Sequence, residues 1–467
     1  MKMEGYCQCT SCMHVVHPVP FHNVCPECKT GILEFVLDEP RKEVLSPGIW
    51  RHSSYLPYFD EKISLGEANT PLVVCKKYFG PSSSRVLFKC EYANSPTGTF
   101  RDRTAALTVS AAKERKEQEI VVSSTGSMGV SMAAYSAATG IKCHVFLPDW
   151  SEASKRQHVL IRGANLRIGG KSFQEVVQSA ELFANRNGFL NATADFTIHT
   201  VEAQKTIAFE IVESSLVSLH KEDVYIVIPS GSGSLVYSLY KGFSELQKFG
   251  KLSRMPHLVA VQIKDADPLV RCFMGQKTEL LEGAGMQVAP ELYIQAPAFL
   301  DLAVEAIKKT DGEAISVDPG LVLHSMRDFA RKEGICVEPS SILPVIAVSD
   351  ILQDQKFDDT RFIMLLTGSG QSPGPHLSER TSYKAARASR YFSLASTKLE
   401  IVRILSSNSR KLTGKEIWLS LGQVISHQAV YKHLKELEES NYIMSDAVTG
   451  GKQKFWSLTE LGRRLLQ

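Results

Sequence analysis

In Tyr225-Ile-Val-Ile-Pro-Ser-Gly-Ser-Gly-Ser234, an apolar run leads through a glycine- and serine-rich loop into a predicted helix, and Val121-Val-Ser-Ser-Thr-Gly-Ser-Met-Gly129 has the same order. Glycines let the backbone approach an anion closely, and a helix N-terminus offers free N–H groups with a partial positive charge. Both loops are therefore candidate phosphate-binding turns, although α/β proteins also use such glycines where no ligand binds. The candidate residues are Ser124, Thr125, Gly126 and Ser127, and Ser230, Gly231, Ser232, Gly233 and Ser234.

The sequence around these loops, from about Arg85 to Leu366, alternates β-rich runs with helical stretches. The β-rich runs are Arg85 to Lys89, Glu119 to Ser123, Lys142 to Pro148, Asp223 to Pro229 and His257 to Gln262. Such alternation is typical of βαβ units and predicts an α/β fold with a mostly parallel, helix-covered sheet. Ligands of such sheets bind beyond the carboxyl ends of the strands, where both loops lie.

Length and composition indicate a soluble protein of more than one domain. A chain of 467 residues exceeds what one hydrophobic core usually organises, and 43% apolar with 22% charged residues is ordinary for globular proteins. The polar start lacks a signal-peptide pattern, and no segment is long and apolar enough to span a bilayer. We therefore expect a cytoplasmic protein without a membrane partner.

Five of the ten cysteines lie within the first 28 residues, which in a cytoplasmic protein indicates a metal site rather than a disulfide framework. Two Cys-x-x-Cys pairs, Cys9 with Cys12 and Cys25 with Cys28, can close a tetrahedron of thiolates around a structural zinc ion. Metal binding would supply much of the folding free energy of so short a segment. Free or redox-active thiols are the alternative. Residues that could substitute as ligands are Cys7, His14, His17 and His22.

A series of motifs surrounds the two loops. In order, they are Ser64-Leu-Gly-Glu-Ala-Asn-Thr-Pro-Leu72, Lys89-Cys-Glu-Tyr-Ala-Asn-Ser-Pro-Thr-Gly-Thr-Phe-Arg-Asp-Arg103, Ser124 to Ser127, Pro229 to Ser234 before Lys241-Gly-Phe243, Glu338-Pro-Ser-Ser341 and Leu366-Thr-Gly-Ser-Gly370. This order resembles that of threonine synthases and other fold-type II pyridoxal-phosphate enzymes, which carry Gly-x-Thr-Pro-Leu and Asn-Pro-Thr-Gly-Ser-Phe-Lys-Asp-Arg elements. The resemblance covers most of residues 1 to 371, because several members also begin with a zinc ribbon. It implies the three-layer parallel sheets of that fold type.

The resemblance also implies a cofactor site. In this family a lysine holds pyridoxal phosphate as an aldimine, a glycine-rich cup holds its phosphate, an asparagine meets its ring hydroxyl, and a serine or threonine meets its pyridine nitrogen. Carried over by motif, the cup is Ser230 to Ser234 and the pyridine partner is Thr367 or Ser369, while Arg101 stands at the place of the lysine and Ser127 at that of the asparagine. A guanidinium stays protonated and cannot become the free amine that an imine requires. The resemblance therefore implies cofactor or phosphate binding without the usual lysine aldimine.

Other roles and other amines remain open around this position. Lys89 on the preceding strand or Lys113 on the following helix could supply an amine, but neither occupies the turn that presents the family's lysine. Arg101 and Arg103 are candidates for binding the phosphate or carboxylate of a small anionic ligand bidentately. The alternative is a surface ion pair with Asp102 or Glu91.

The C-terminal stretch changes pattern after a polar, proline-bearing boundary from Gln371 to Arg390. Three amphipathic helices are predicted, around Leu399 to Leu405, over Lys415 to Leu421, and over His427 to Glu439, with Ser426 as the N-cap of the third. A hairpin is predicted from Tyr442-Ile-Met, Phe455-Trp-Ser-Leu and the intervening Thr449-Gly-Gly-Lys452. Three helices followed by a hairpin with a basic tip resemble a winged helix.

Charge favours duplex DNA as the partner of this module. From Thr397 to Gln467, eleven Lys and Arg oppose seven Asp and Glu, so the module is more basic than the whole chain with its net charge of +3. A dimerisation or protein-docking role is the alternative, because fold alone does not fix function. The predicted DNA-contacting residues are His427, Gln428, Tyr431, Lys432, Lys435, Lys452 and Lys454.

The predicted organisation has four parts: a zinc ribbon over 1–40, a threonine synthase-like body over 41–371, a linker over 372–395 and a winged-helix domain over 396–467. We expect a homodimeric DNA-binding regulator whose body senses pyridoxal phosphate or another small anionic metabolite. Two alternatives stand beside it: a divergent pyridoxal-phosphate-dependent lyase of the threonine synthase type, and an inactive scaffold subunit.

Overall fold

The computed structural model describes residues 5–42, 46–276, 288–294, 296–371, 396–408, 410–421, 426–447 and 454–464. It divides into two units, Met1–Glu379 and Arg380–Gln467, so the predicted segments 1–40 and 41–371 belong to one unit and the division falls within the predicted linker. The linker itself, 372–395, lies outside the described residues. Among those described, no helix has both the length and the apolar character needed to cross a bilayer.

The first unit begins with a small antiparallel sheet. Its strands are β1 (Tyr6–Cys9), β2 (Val15–Val16) and β3 (Leu33–Val36), in the order β2-β1-β3. Three hydrogen bonds tie the sheet and the residue after it to one helix of the body: Lys241 Nζ to Phe35 O, Lys248 Nζ to Leu37 O, and Tyr237 OH to Glu34. The cysteine-rich segment is therefore attached to the body by polar contacts as well as by its buried Phe35.

The body contains two sheets built from ten strands. They are β4 (Leu72–Val74), β5 (Val86–Lys89), β6 (Glu119–Ser123), β7 (Lys142–Leu147), β8 (Asn165–Ile168), β9 (Leu190–Asn191), β10 (Asp223–Pro229), β11 (His257–Ile263), β12 (Glu313–Val317) and β13 (Thr360–Leu365). The larger sheet has the order β12-β11-β10-β13-β5-β4 and the smaller β8-β7-β6-β9. Every neighbouring pair is parallel except β4 and β5. The predicted parallel α/β fold is confirmed, and each predicted β-rich run matches a strand to within one residue at either end.

Helices cover these sheets. They are α1 (Arg101–Glu114), α2 (Ser127–Thr139), α3 (Ala153–Ile161), α4 (Phe173–Asn187), α5 (Ile198–Gln204), α6 (Thr206–Val212), α7 (Ser234–Lys248), α8 (Pro268–Phe273), α9 (Leu300–Lys309), α10 (Pro319–Glu333) and α11 (Pro339–Ile351). Short 3₁₀ helices span Gly48–Tyr55, Gly80–Arg85, Glu91–Ala93, Ala194–Phe196, Pro290–Leu292 and Gln355–Phe357. Ile226, Val227 and Ile228 of β10 are all buried, as expected for a strand covered on both faces.

The two glycine loops connect strands to helices as predicted: one joins β6 to α2 and the other joins β10 to α7. Gly233 has φ +85°, and a Cβ at this position would lie 2.9 Å from the carbonyl oxygen of Phe299. Gly129 lets α2 approach β7, because a Cβ there would lie 2.7 Å from Val145 Cγ1. Both glycines are therefore required by close packing at the strand ends.

The second unit combines helices with a small antiparallel sheet. Its elements are α12 (Ser396–Ser407), β14 (Leu412–Thr413), α13 (Gly414–Ser420), α14 (His427–Glu439), β15 (Ile443–Ala447), β16 (Lys454–Leu458) and α15 (Glu460–Arg464), with strand order β14-β16-β15. Ser426 caps α14 as predicted, because its side chain accepts a hydrogen bond from Ala429 N. The predicted hairpin tip, Thr449 to Lys452, lies outside the described residues.

Candidate functional site

A cavity in the first unit lies where the carboxyl ends of β6 and β10 face each other. Together with its mouth it has a volume of about 900 Å³. Its lining includes both glycine loops, the residues that start α1, and several buried polar groups: Thr99–Arg101, Ser123–Thr125, Ser127, Met128, Phe173, Thr193–Asp195, Pro229–Leu235, Glu291, Leu292, Ile294, Glu338, Ser340 and Thr367. Loops far apart in the sequence therefore share one site.

The loop Ser230–Ser234 forms a cup at the N-terminus of α7. Ser230 is 2% exposed, and its Oγ has no hydrogen-bond partner among the described residues. Ser232 Oγ donates to Asp195 Oδ1 at 3.2 Å and lies 3.3 Å from Ser234 Oγ. A buried hydroxyl without a partner is unusual, and a phosphate oxygen beside the free amides of α7 would satisfy it. The cup therefore fits a phosphate group.

The other glycine loop is held in shape by its own serine. Ser124 Oγ accepts hydrogen bonds from Gly126 N at 2.9 Å and Gly129 N at 3.0 Å. Thr125 and Ser127 lie half-buried at the cavity wall, where their hydroxyls can reach a ligand. The Ser124 hydroxyl therefore stabilises the loop itself, while Thr125 and Ser127 are available to bind a ligand.

The two candidate partners of a pyridine nitrogen have different positions. Thr367 is buried, lines the cavity, and has its Oγ1 2.9 Å from Ser341 Oγ. Ser369 does not line the cavity, and its Oγ accepts a hydrogen bond from Gln371 N. The geometry favours Thr367 as the residue that contacts a ligand.

Arg101 is the first residue of α1 and lines the cavity. The hydrogen bond from Phe100 N to Thr367 O, 3.0 Å long, fixes the backbone just before it. Burial lowers the pKa of the Arg101 guanidinium, against the opposing effect of Asp195 and Glu338. Arg101 takes part in none of the ion pairs of the described residues, and its guanidinium lies 4.5 Å from the centroid of the Phe100 ring, so it can bind an anionic group of a ligand.

Arg103 lies away from the cavity, in a buried ion cluster with Lys89, Glu91 and Glu210. Its guanidinium donates to Glu91 at 2.8 Å and to Glu210 at 2.7 Å, and Lys89 Nζ donates to Glu210 at 2.6 Å. The ion pair with Glu91 is therefore present, in the interior rather than at the surface. Because both cations are held by carboxylates, Arg103 is not positioned to bind a ligand and Lys89 is not positioned to supply an amine.

Asp102 is also buried, and it is not paired with an arginine in the described structure. It accepts hydrogen bonds from Thr97 N at 2.9 Å and Thr97 Oγ1 at 2.6 Å. Burial raises the pKa of Asp102 to about 6 against these hydrogen bonds. The residue fixes the turn that precedes α1 and thus the position of Arg101.

Four cysteines cluster in the N-terminal sheet: Cys9, Cys12, Cys25 and Cys28, with all sulfur atoms within 4.8 Å of one another. Two Sγ–Sγ distances are 3.7 Å, close to the edge of about 3.8 Å expected for a tetrahedron of thiolates around zinc. Hydrogen bonds from the backbone of Thr30 and Gly31 lower the pKa of Cys28 to about 6, which favours its thiolate. Cys7, His14, His17 and His22 lie outside this cluster, and burial raises the pKa of Cys7 to about 12. The four sulfur atoms fit a tetrahedral ion.

Five of the predicted DNA-contacting residues lie on the exposed side of α14. His427, Gln428, Tyr431, Lys432 and Lys435 are exposed, and Lys454 at the start of β16 is exposed as well. The opposite face packs into the core through Val430, Leu434 and Leu437. Lys452 lies outside the described residues.

Sequence patterns did not reveal two ionisable residues of the cavity wall, Asp195 and Glu291, or Lys155, which lies beside Glu338 of that wall. Asp195 and Glu291 lie on short 3₁₀ helices without a motif of their own, and Glu338 belongs to a recognised motif without an assigned role. Burial raises the pKa of Glu291 to about 7, partly offset by Lys155. No signal in the sequence could place these groups together, because they meet only through the tertiary fold.

The part of the chain that forms this cavity matches known proteins in sequence. A family model described as "Pyridoxal-phosphate dependent enzyme" matches residues 63–368. The threonine synthase of Methanocaldococcus jannaschii is 29% identical over 356 residues, which cover 73% of this chain and 86% of that protein. The threonine synthase of Methanosarcina acetivorans is 27% identical over 339 residues, covering 70% and 82%.

Solved structures share the fold at lower sequence identity. The L-serine ammonia-lyase from Rhizomucor miehei superposes with a TM-score of 0.57 at 17% identity, covering 68% of this chain and 98% of that one. The serine racemase of maize gives a TM-score of 0.54 at 19% identity, covering 65% and 88%. These likenesses support the fold of the body.

Proposed function

The chain belongs to the pyridoxal-phosphate dependent enzyme family, and from this premise we propose that its body binds pyridoxal phosphate and acts as a divergent lyase of the threonine synthase type. The observation that carries the proposal is Ser230 Oγ, a buried hydroxyl without a described partner in a cup at a helix N-terminus. When bound, the cofactor supplies an electron sink for a carbanion formed on an amino acid. The threonine synthase relatives support this lyase, first considered as an alternative, better than the regulator expected from the sequence.

The residues of the cavity have distinct roles in this proposal. Ser230–Ser234 hold the phosphate, and Thr367 contacts the pyridine nitrogen. Arg101, which stands where the family has its lysine, binds the carboxylate of the amino acid. The divergence lies at this residue, because its guanidinium cannot form an imine and the reaction needs another amine.

Titration of the protein with pyridoxal phosphate, and separately with pyridoxal, tests the proposal. Loss of a hydrogen bond to a charged group costs about 1.5–3 kcal/mol, so Ser230→Ala should weaken binding of the phosphate ester roughly 10- to 100-fold. Ser136→Ala is the matched control, since Ser136 is buried on α2 outside the cavity. Equal affinity of the wild-type protein for both ligands would exclude the phosphate cup.

A second candidate is the ligand-responsive DNA-binding regulator, favoured by the exposed basic face of α14. The order of helices and strands in the second unit supports a winged helix, with α14 entering the major groove. Anisotropy titrations with duplex DNA at several salt concentrations test it. Lys432→Ala should reduce the salt slope by about 1, whereas Lys142→Ala on the body should not. Absence of DNA binding by the full chain at low salt would exclude this function.

The cysteine cluster is proposed as a structural zinc site, with Cys9, Cys12, Cys25 and Cys28 as ligands. The close spacing of its four sulfur atoms supports a bound cation. A homodimer stays a prediction that light scattering on the purified chain would measure.

A further inference from the structure

Lys155, which no sequence motif singled out, supplies an amine at the edge of the cavity. It belongs to α3, and its side chain is 15% exposed. Lys89 is held in the buried ion cluster, and Lys113 near the end of α1 does not line the cavity. Lys155 does not line the cavity either, but its Nζ lies 3.8 Å from Glu338, which does.

The side chain of Lys155 crosses the glycine loop Ser124–Ser127. A Cβ built on Gly126 would lie 2.4 Å from Lys155 Cδ and 3.5 Å from its Cε, so the glycine leaves the space through which the lysine passes. The neighbours of Gly126, Thr125 and Ser127, line the cavity. The side chain of Lys155 therefore packs against a loop that forms part of the cavity wall.

The ammonium group of Lys155 lies near carboxylates but makes no close hydrogen bond to them. Its Nζ is 3.8 Å from Glu338 Oε2 and 4.0 Å from Glu152 Oε1, both longer than a hydrogen bond. Glu291 Oε1, in the cavity wall, is buried without a hydrogen-bond partner in the described structure. The amine and this carboxylate both retain unused hydrogen-bonding capacity.

The pKa values of Lys155 and Glu291 are both shifted from their ordinary values. Burial lowers the pKa of Lys155, but Glu338, Glu291 and Glu152 outweigh it, and the pKa is raised overall. Burial raises the pKa of Glu291 to about 7. At neutral pH the amine is therefore protonated and must lose a proton before it can attack a carbonyl group.

We propose that Lys155 is the amine that condenses with the aldehyde of a ligand held in this cavity, a step that rests on the proposed cofactor binding. Nζ passes one proton to Glu338, whose Oε2 lies 3.8 Å away in the cavity wall, and its lone pair attacks the carbonyl carbon, forming the C–N bond. A second N–H proton moves to the carbonyl oxygen. Glu338 returns its proton to that hydroxyl, which leaves as water, and a protonated imine remains.

The test combines borohydride reduction with peptide mapping of the full chain after incubation with pyridoxal phosphate. We expect one reduced adduct, on the peptide that contains Lys155. Lys155→Arg keeps the positive charge and should lose the adduct, because a guanidinium does not form an imine. Lys113→Arg is the matched control and should keep the adduct.

Equilibrium dialysis of the same proteins separates this proposal from the binding proposal. Lys155→Arg should retain cofactor binding through the phosphate cup, and its thermal unfolding shows whether it is folded. Lys155→Met gives a second variant should the arginine not fit the space over Gly126. Saturable binding by the wild-type protein with no adduct, or with an adduct on another lysine, would overturn the role of Lys155 alone. Absence of binding would overturn both proposals.

Discussion

Replacing Arg103 with methionine tests whether the buried ion cluster holds α1, and with it Arg101, in place. The Arg103 side chain is completely buried and donates to Glu91 and Glu210, while Lys89 Nζ lies 2.6 Å from Glu210. The wild-type cluster has two cations and two carboxylates. The variant leaves two buried carboxylates with one ammonium group.

The expected loss of stability follows from this excess of negative charge. Removing one partner of a buried ion pair costs about 3–5 kcal/mol, against total stabilities of roughly 5–15 kcal/mol for native proteins. Adding Glu91→Gln removes the excess charge and leaves Lys89 paired with Glu210. The double variant should therefore be more stable than Arg103→Met alone, by about 1–3 kcal/mol.

The pH dependence provides an internal check. Burial would raise the pKa of Glu91 and of Glu210, but Arg103 and Lys89 outweigh it and lower both. A carboxylate whose pKa is lowered in the folded state stabilises the protein at pH values above its unfolded pKa of about 4.3. This contribution is lost as the pH falls through the folded pKa. The difference in the free energy of unfolding between Arg103→Met and the wild-type protein should thus be largest at neutral pH and become smaller in acid.

Chemical denaturation at neutral pH, followed by fluorescence and circular dichroism, measures these differences. Arg51→Met is the control, because Arg51 forms a surface ion pair with Glu213, whose loss should cost at most about 1 kcal/mol. A cost for Arg103→Met no larger than that for Arg51→Met, or further destabilisation on adding Glu91→Gln, would refute this role of the cluster.

Three other predictions concern the remaining sites. Cys25→Ser should abolish binding of about one zinc ion per chain, measured by metal analysis, whereas Cys7→Ser should retain it; equal metal content in both would contradict the assignment. Gly233→Ala should destabilise the protein by about 1–3 kcal/mol and abolish phosphate binding, since its Cβ would meet the carbonyl oxygen that precedes α9. Gly250→Ala is the control, because Gly250 has a similar φ but no atom within 4 Å of an added Cβ. Only backbone strain should destabilise this variant, and its phosphate binding should be unchanged. Glu338→Gln should slow adduct formation, because the carboxylate 3.8 Å from Lys155 Nζ could no longer take up its proton; an unchanged rate would count against its proton transfer.

Much of the fold could be predicted because its signals are local. The strand, glycine loop and helix around Ser230–Ser234 follow one another in the chain, and the Ser426 cap is set by residues within one helical turn. The four clustered cysteines come from two short motifs. In each case a few neighbouring residues determine the geometry.

The rest depends on contacts between distant segments. Glu210 is 107 residues from Arg103, so the sequence could not show that this arginine forms a buried ion pair. Thr367 and Ser369 differ only by their position along a turn, and just one of them faces the cavity. Lys155 on α3 meets Glu338 at the start of α11, and no spacing rule connects these two elements.

A crystal structure of the protein with pyridoxal phosphate would show directly whether the cavity is the cofactor site. We expect the phosphate in the cup Ser230–Ser234, with an oxygen in hydrogen-bond distance of Ser230 Oγ and the pyridine nitrogen beside Thr367. Cofactor bound outside this cavity, or with its phosphate away from the cup while Ser230 Oγ stays without a partner, would contradict the proposed site.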